Sequence, residues 1–448
     1  MPELVSITDQ SATHRSARRE RNLSRLLVAF IGAGLAFMLL PGTFLGVWNL
    51  FAISSRHSSQ AISAEWIQAH GHAQVFGWIG CFILGIGFHS IPKMRGAGSR
   101  IALGQAAFSL SAWVSGVFLR WFANVYFWHW RALLPLSAAL ELIAFLFFFR
   151  AVSQHKSSSE TKAKFEAWIF VVIAGTLGWL AALVANFYEC VHAALQSNSP
   201  AFPAAFDQRF LVVLAWAFLV PHVWGFSAKW LPIFLGLKIV RTRLLLSAVV
   251  VNIAGVVLAC CGLAIAGTLT LLAGALVAGA ALRIFERGER PAKTTGVHAS
   301  FPVFIRVAYT WLLIAATLGT WAAFSTDTIG IAGASRHALT VGFVSLMVFN
   351  IGQRVLPAFS GMKLLWSPRV MFASSALLTI GCTLRVASEV LAYQGFSSSA
   401  WHFLPASAVI EMSAVTLCAT NLVLTFMQSP AHEIRLRESA VTARAAVS

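Results

Sequence analysis

Charge is scarce in this chain. Only 11% of its 448 residues are charged, 58% are hydrophobic and the mean hydropathy is +0.74; a soluble domain carries roughly 25% charged residues. That scarcity excludes an ordinary soluble enzyme and leaves little room for a separate soluble domain. Acidic residues are scarcer still, 16 against 33 basic ones, for a net charge of +17. Such a balance suggests nucleic acid, but the basic residues sit in short loops between apolar segments, where they set membrane topology. Cysteine is rare, and all six (Cys81, Cys190, Cys260, Cys261, Cys382, Cys418) lie in apolar stretches. With no CxxC or CxxCH, thiolate zinc and covalently attached heme are disfavoured, and the cysteines read as small apolar residues. Zinc-peptidase, P-loop, catalytic-triad and EF-hand patterns are also missing.

What is present is apolar and periodic. Twelve spans reach or approach the roughly 20 residues that a bilayer core requires: about 26–53, 67–92, 101–124, 132–151, 166–192, 207–234, 243–265, 268–286, 302–324, 337–358, 369–393 and 401–427. The least marked boundary lies near Gly267. The first apolar run is too long for the core of a signal peptide, so it reads as a retained transmembrane helix. Residues 1–25 and 431–448 are expected as tails flanking a single membrane domain over 26–430. Most basic residues fall in alternate loops, among them Lys93 and Arg95, Lys238 and Arg241, Arg287 and Arg290, and Lys363 and Arg369. That bias places both termini in the cytoplasm. Trp121, Tyr126, Trp128 and Trp130 form an aromatic belt at the opposite rim.

Internal repeats organise the spans. His72–Gly96 and His337–Gly361 share the frame HA-x3-G-x14-P-x3-G, 265 residues apart. The same offset relates Gly116, Leu119 and Arg120 to Gly381, Leu384 and Arg385. Leu134-Pro135, Ser137-Ala138 and Glu141 recur as Leu404-Pro405, Ser407-Ala408 and Glu411. Pro232-x3-Gly236 extends the pattern to the more divergent middle of the chain. The plan is all-α, twelve helices in three four-helix pseudo-repeats, about 26–151, 166–286 and 302–427. A transporter built from two six-helix halves would show a different period.

Ionisable groups inside a membrane are costly and mark candidate sites. His72 and His337 each precede their proline by 20 residues, about 30 Å of helix, so both stand at equal depth near the outer surface. They suit either the two axial ligands of one heme b or two interfacial histidines capping helix starts. Arg120 and Arg385, also in the outer half, would pair heme propionates or snorkel to the interface. His222 lies about 15 Å deeper by the same rise and is a candidate ligand of a second metal or a core histidine. Glu141 and Glu411 are matched mid-membrane carboxyls for a proton path, for orienting a ligand histidine, or for a structural hydrogen bond. His70, two residues from His72, points to another face and would serve a neighbouring site.

On His337-Ala338-Leu339-Thr340-Val341-Gly342 and the His72-Ala73-x3-Gly77 helix, the chain resembles the NnrS family of multi-pass bacterial membrane proteins. That resemblance implies heme, copper and a link to nitric oxide stress. The three-by-four plan is also similar to subunit I of heme-copper oxidases, whose second and tenth helices hold the low-spin heme. By that likeness His72 and His337 would ligate heme, His222 would stand near copper and Arg385 near the propionates. Span seven has no His-His pair and no tyrosine follows His222, so an oxygen-reducing centre is not carried over. The leading expectation is a heme-binding, copper-compatible protein that binds or detoxifies nitric oxide or another small gas, fed by an unidentified electron donor. If it is an enzyme, it would be a heme-dependent oxidoreductase acting on nitric oxide. The alternatives are a proton-coupled transporter without heme and an electron-transfer subunit of a respiratory complex.

Overall fold

The computed structural model describes residues 7–94, 102–153, 166–325 and 329–429. The stretch 431–448, expected as a tail, lies outside the described residues. Twelve helices are long and apolar enough to cross a membrane: α1 (Arg18–Arg56), α2 (Ala64–Lys93), α3 (Leu103–Tyr126), α4 (Trp130–Ser153), α5 (Ala167–Gln196), α6 (Ala204–Leu235), α7 (Thr242–Cys260), α8 (Ala264–Leu282), α9 (Phe301–Phe324), α10 (Ile329–Phe359), α11 (Pro368–Tyr393) and α12 (Ala400–Met427). Among the described residues there is no strand. The chain is a multi-pass membrane protein, and the bilayer explains its form. Without water to satisfy backbone polar groups, a spanning segment must bond internally. The poorly marked seventh boundary is a tight turn, with Gly262 at φ +86°, and α8 begins four residues before the expected 268.

Burial sorts the helices into an inner and an outer set. In α2, α6 and α10, 78%, 61% and 72% of the most apolar stretch is buried, against 33–44% in the other nine. The inner three are the second helices of the three repeats. Each carries a π-helical stretch: Ala73–Gly80, Val213–Leu219 and Ala338–Ser345. All three begin 19 residues before the repeat's proline (Pro92, Pro232, Pro357). The middle repeat therefore keeps the register of the other two, although its sequence has drifted.

A π-turn disturbs the regular ladder and leaves carbonyls to be satisfied from elsewhere. Trp113 on α3 donates Nε1–H to Phe76 O at 2.9 Å, and Asn252 on α7 donates Nδ2–H to Trp216 O at 2.6 Å. Phe76 and Trp216 hold the same position in their π-stretches, and α3 and α7 are the third helices of their repeats. In α10, Ser345 Oγ donates to Thr340 O at 2.7 Å. The glycine of the HA-x3-G frame is a packing notch. A Cβ on Gly77 would fall 2.7 Å from Phe37 Cβ, and one on Gly342 would fall 2.5 Å from Trp311 Cγ. Phe37 and Trp311 come from the first helices of their repeats.

The helix ends are tied as well. Ser24 Oγ on α1 donates to Phe359 O at the end of α10, at 3.0 Å, and Lys363 Nζ donates to Phe426 O at the end of α12. This is the end rich in basic loop residues. Just ahead of α5, Glu166 accepts from Lys229 Nζ of α6 at 2.6 Å, and that ammonium holds the Glu166 carboxyl below the usual carboxylate range.

Candidate functional site

Two buried polar clusters form at the end of the bundle remote from the basic loops, one around each histidine of the HA frame. His337, on α10 directly before its π-stretch, places Nδ1 3.0 Å from Gly333 O and 3.1 Å from Glu389 Oε2. A carbonyl only accepts, so Nδ1 carries the proton and Nε2 keeps its lone pair. Arg385 Nε lies 3.5 Å from the same Glu389 oxygen, both on α11 at i, i+4 spacing. Neither Arg385 Nε nor Glu389 Oε2 completes a hydrogen bond, and Glu411 Oε1 is likewise buried without a partner. Glu411 reaches α11, the helix that carries Arg385 and Glu389, from α12. Its side chain passes over Gly381, where a Cβ would meet Glu411 Cγ at 2.7 Å.

His70 of α2 belongs with this group. It lies within electrostatic reach of His337 and Arg385, and its Nδ1 donates to Gly42 O at 2.8 Å. That carbonyl is in a fourth π-stretch, Met38–Phe44 of α1, which contains Pro41. Nδ1 is thus fixed as the donor and Nε2 is again free. Gly46 leaves room for the ring, since a Cβ there would stand 2.6 Å from His70 Cε1.

His72 faces the first repeat instead. Its ring stacks on Phe76 at 4.5 Å, and its Nε2 lies 2.7 Å from Glu141 Oε1 of α4. Asn186 of α5 donates Nδ2–H to Glu141 Oε2 at 3.3 Å, and Cys190 Sγ lies 3.8 Å from Asn186 Oδ1. Arg120 Nη1 donates to Cys190 Sγ at 2.7 Å, and the guanidinium covers the Phe202 ring at 4.1 Å. His72, Glu141, Asn186, Cys190 and Arg120 are all buried, so one continuous polar chain runs from the first repeat onto α5, the first helix of the second. As at Gly381, a Cβ on Gly116 would meet a carboxyl stem, Glu141 Cγ at 2.8 Å. The repeated glycine and glutamate are therefore two halves of one packing arrangement.

His70 and His72 do point to different faces, as their spacing requires. His222 stands apart from both clusters. Its Nδ1 donates to Phe218 O at 2.8 Å, and its ring meets Trp179 and Phe218 edge-on. A Cβ on Gly175 would lie only 2.5 Å from Nδ1. Among the described residues no three His, Cys, Asp or Glu side chains gather as a metal-binding group.

Sequence reasoning passed over Glu389, Asn186, the role of Cys190 and the Gly42 carbonyl. Glu389 had a readable signal, because it follows Arg385 by four residues. The others depend on which helices pack together, and Cys190 looks like any apolar-segment cysteine.

The comparisons agree with this architecture. No curated protein matches the sequence. Among solved structures, a heme-copper terminal oxidase dimer studied by cryo-electron microscopy resembles the chain with a TM-score of 0.59. The match covers 91% of this chain and 84% of that one at 12% identity, a likeness of fold alone. The family model described as NnrS protein matches residues 26–429, from within α1 to the end of α12 with the π-stretches and both polar clusters, and the chain belongs to the NnrS family.

Proposed function

We propose that this is a heme-binding protein of the bacterial inner membrane that binds nitric oxide and limits nitrosative damage. The observation that carries the reading is the pair His70 and His337. Each is held at Nδ1 by a backbone carbonyl, each keeps Nε2 free, and they lie on two inner helices within electrostatic reach of one another. Metal-ligating histidines characteristically donate their other ring N–H in this way. Heme b would take these two nitrogens, and the unsatisfied Nε of Arg385 would meet a propionate. When bound, the heme would supply a ferrous iron that takes nitric oxide where one of the two histidines gives way to the gas.

In this proposal His72 is not an axial ligand, because Glu141 engages its Nε2. Arg120, with Cys190 and Phe202, belongs to the His72 cluster. Copper would need ligands beyond His222, whose ring is enclosed by aromatic neighbours, so heme alone is proposed. The basic end of the bundle is assigned to the cytoplasm from the loop charges.

The test is an optical spectrum and heme assay on purified protein, repeated on the reduced sample under nitric oxide. The expected result is about one heme per chain with a Soret band that shifts on adding the gas. Colourless protein from heme-sufficient cells would overturn the reading. It would favour a proton-coupled transporter, for which the chain from Arg120 to His72 is the supporting observation.

A further inference from the structure

Arg354 of α10 lies at the other end of the bundle, three residues before Pro357. Its guanidinium carbon is 4.3 Å from the ring centroid of Phe234 on α6 and 5.2 Å from that of Phe301 on α9. Its Nε and Nη1 are buried and have no hydrogen-bond partner. Among the described residues no carboxylate forms an ion pair with it, unlike Arg385, Arg241 and Arg283. Aromatic faces offset part of the cost of desolvating a guanidinium, but they accept no hydrogen bond in its plane. Two charged donors are therefore left without acceptors, an expensive arrangement unless something fills it.

The surroundings favour an anion. The loop after α8 is pinned to the end of α6, whose Phe234 ring faces Arg354. Lys293 N donates to Phe234 O at 2.9 Å, and Glu289 N and Arg290 N donate to Gly236 O at 2.8 and 3.3 Å. The loop's acids are already engaged: Glu286 by Arg241 and Arg283, Glu289 by Lys238. Arg287, Arg290 and Lys293 are exposed and in no ion pair with a described carboxylate. Carried on this pinned loop, they make this end of the bundle positive and would concentrate anions. A planar guanidinium between two rings offers its donors edge-on, which suits the oxygens of an oxyanion.

We infer that Arg354 is an anion site at the basic end of the bundle, taking phosphate oxygens from free phosphate or from an anionic lipid headgroup. It is independent of the heme reading, because it shares no residue with the clusters around His70, His337 and His72.

The test uses the full chain in nanodiscs. Inorganic phosphate is titrated calorimetrically into protein held in phosphatidylcholine, and lipid retention is read by native mass spectrometry from discs containing phosphatidylglycerol. Saturable phosphate binding that weakens at least about tenfold in Arg354→Gln, roughly 1.4 kcal/mol, supports the site with free phosphate as its ligand. Retention of phosphatidylglycerol by the wild type that is lost in Arg354→Gln supports it with a headgroup as its ligand. If Arg354→Gln does not fold, Arg354→Lys replaces it; it keeps the charge but not the planar donors, and the same weakening is expected. No binding in either arm, or binding equal in wild type and variant, overturns the proposal and leaves Arg354 as an aromatic clamp between helices.

Discussion

A histidine whose Nδ1–H is committed to a carbonyl has one nitrogen left for chemistry, and its ring is held against rotation. His70 and His337 are both in that state, and the backbone that holds them is as much a part of the site as the rings. Gly46 makes this testable. A methyl there would stand within bonding-forbidden distance of His70 Cε1, so Gly46→Ala is expected to turn the ring and disturb any ligand field it provides. The expected readout is a shifted Soret band with a stability loss of about 1–3 kcal/mol; an unchanged spectrum would show that the ring is not a ligand. His72 is held by a carboxyl instead. Glu141→Leu should strand His72 Nε2 and Asn186 Nδ2, costing about 1–3 kcal/mol per buried unpaired group, while heme content stays at the wild-type level. The histidines and both repeated glutamates were visible in the sequence as costly polar residues in apolar runs. Their partners were not, because periodicity gives the face of a helix and not the helix that lies against it.

At the scale of the element, the three inner helices share a widened turn at one register, and neighbouring helices stitch two of these turns at equivalent carbonyls. Trp113→Phe and Asn252→Leu each remove one stitch. Either should destabilise the protein by about 1–3 kcal/mol, read as a lower unfolding midpoint in detergent, and the double variant should be close to additive because the stitches lie in different repeats. The HA-x3-G-x14-P-x3-G frame exposed the helices and their alignment. It did not expose the π-turns, since no residue type marks them; they were legible only as a repeat whose glycine fits an aromatic from the first helix of its own unit. In the middle unit only Pro232 and Gly236 survive of the frame, yet the turn keeps its place. Burial of the whole helix preserves a register that single residues no longer advertise.

For the whole molecule, twelve spans and their order could be read from hydropathy, and the three-by-four plan from the repeats. What could not be read was the grouping of side chains across repeats. His70 of the first unit lies within electrostatic reach of His337 and Arg385 of the third, across more than 260 residues of sequence, a grouping that no local pattern encodes. The orientation proposed from the loop charges predicts that accessibility labels at Lys238 and Arg290 react from the cytoplasmic side while one at Trp128 reacts from the opposite side; the reverse pattern would invert the topology. The central claim is that His70 and His337, rather than His72 and His337, hold one heme. Electron paramagnetic resonance of the oxidised protein tests it most directly, comparing the wild type with His70→Ala, His72→Ala and His337→Ala. The account predicts a low-spin ferric signal that survives in His72→Ala and is lost or turned high-spin in the other two. A signal that survives in His70→Ala and disappears in His72→Ala would contradict it.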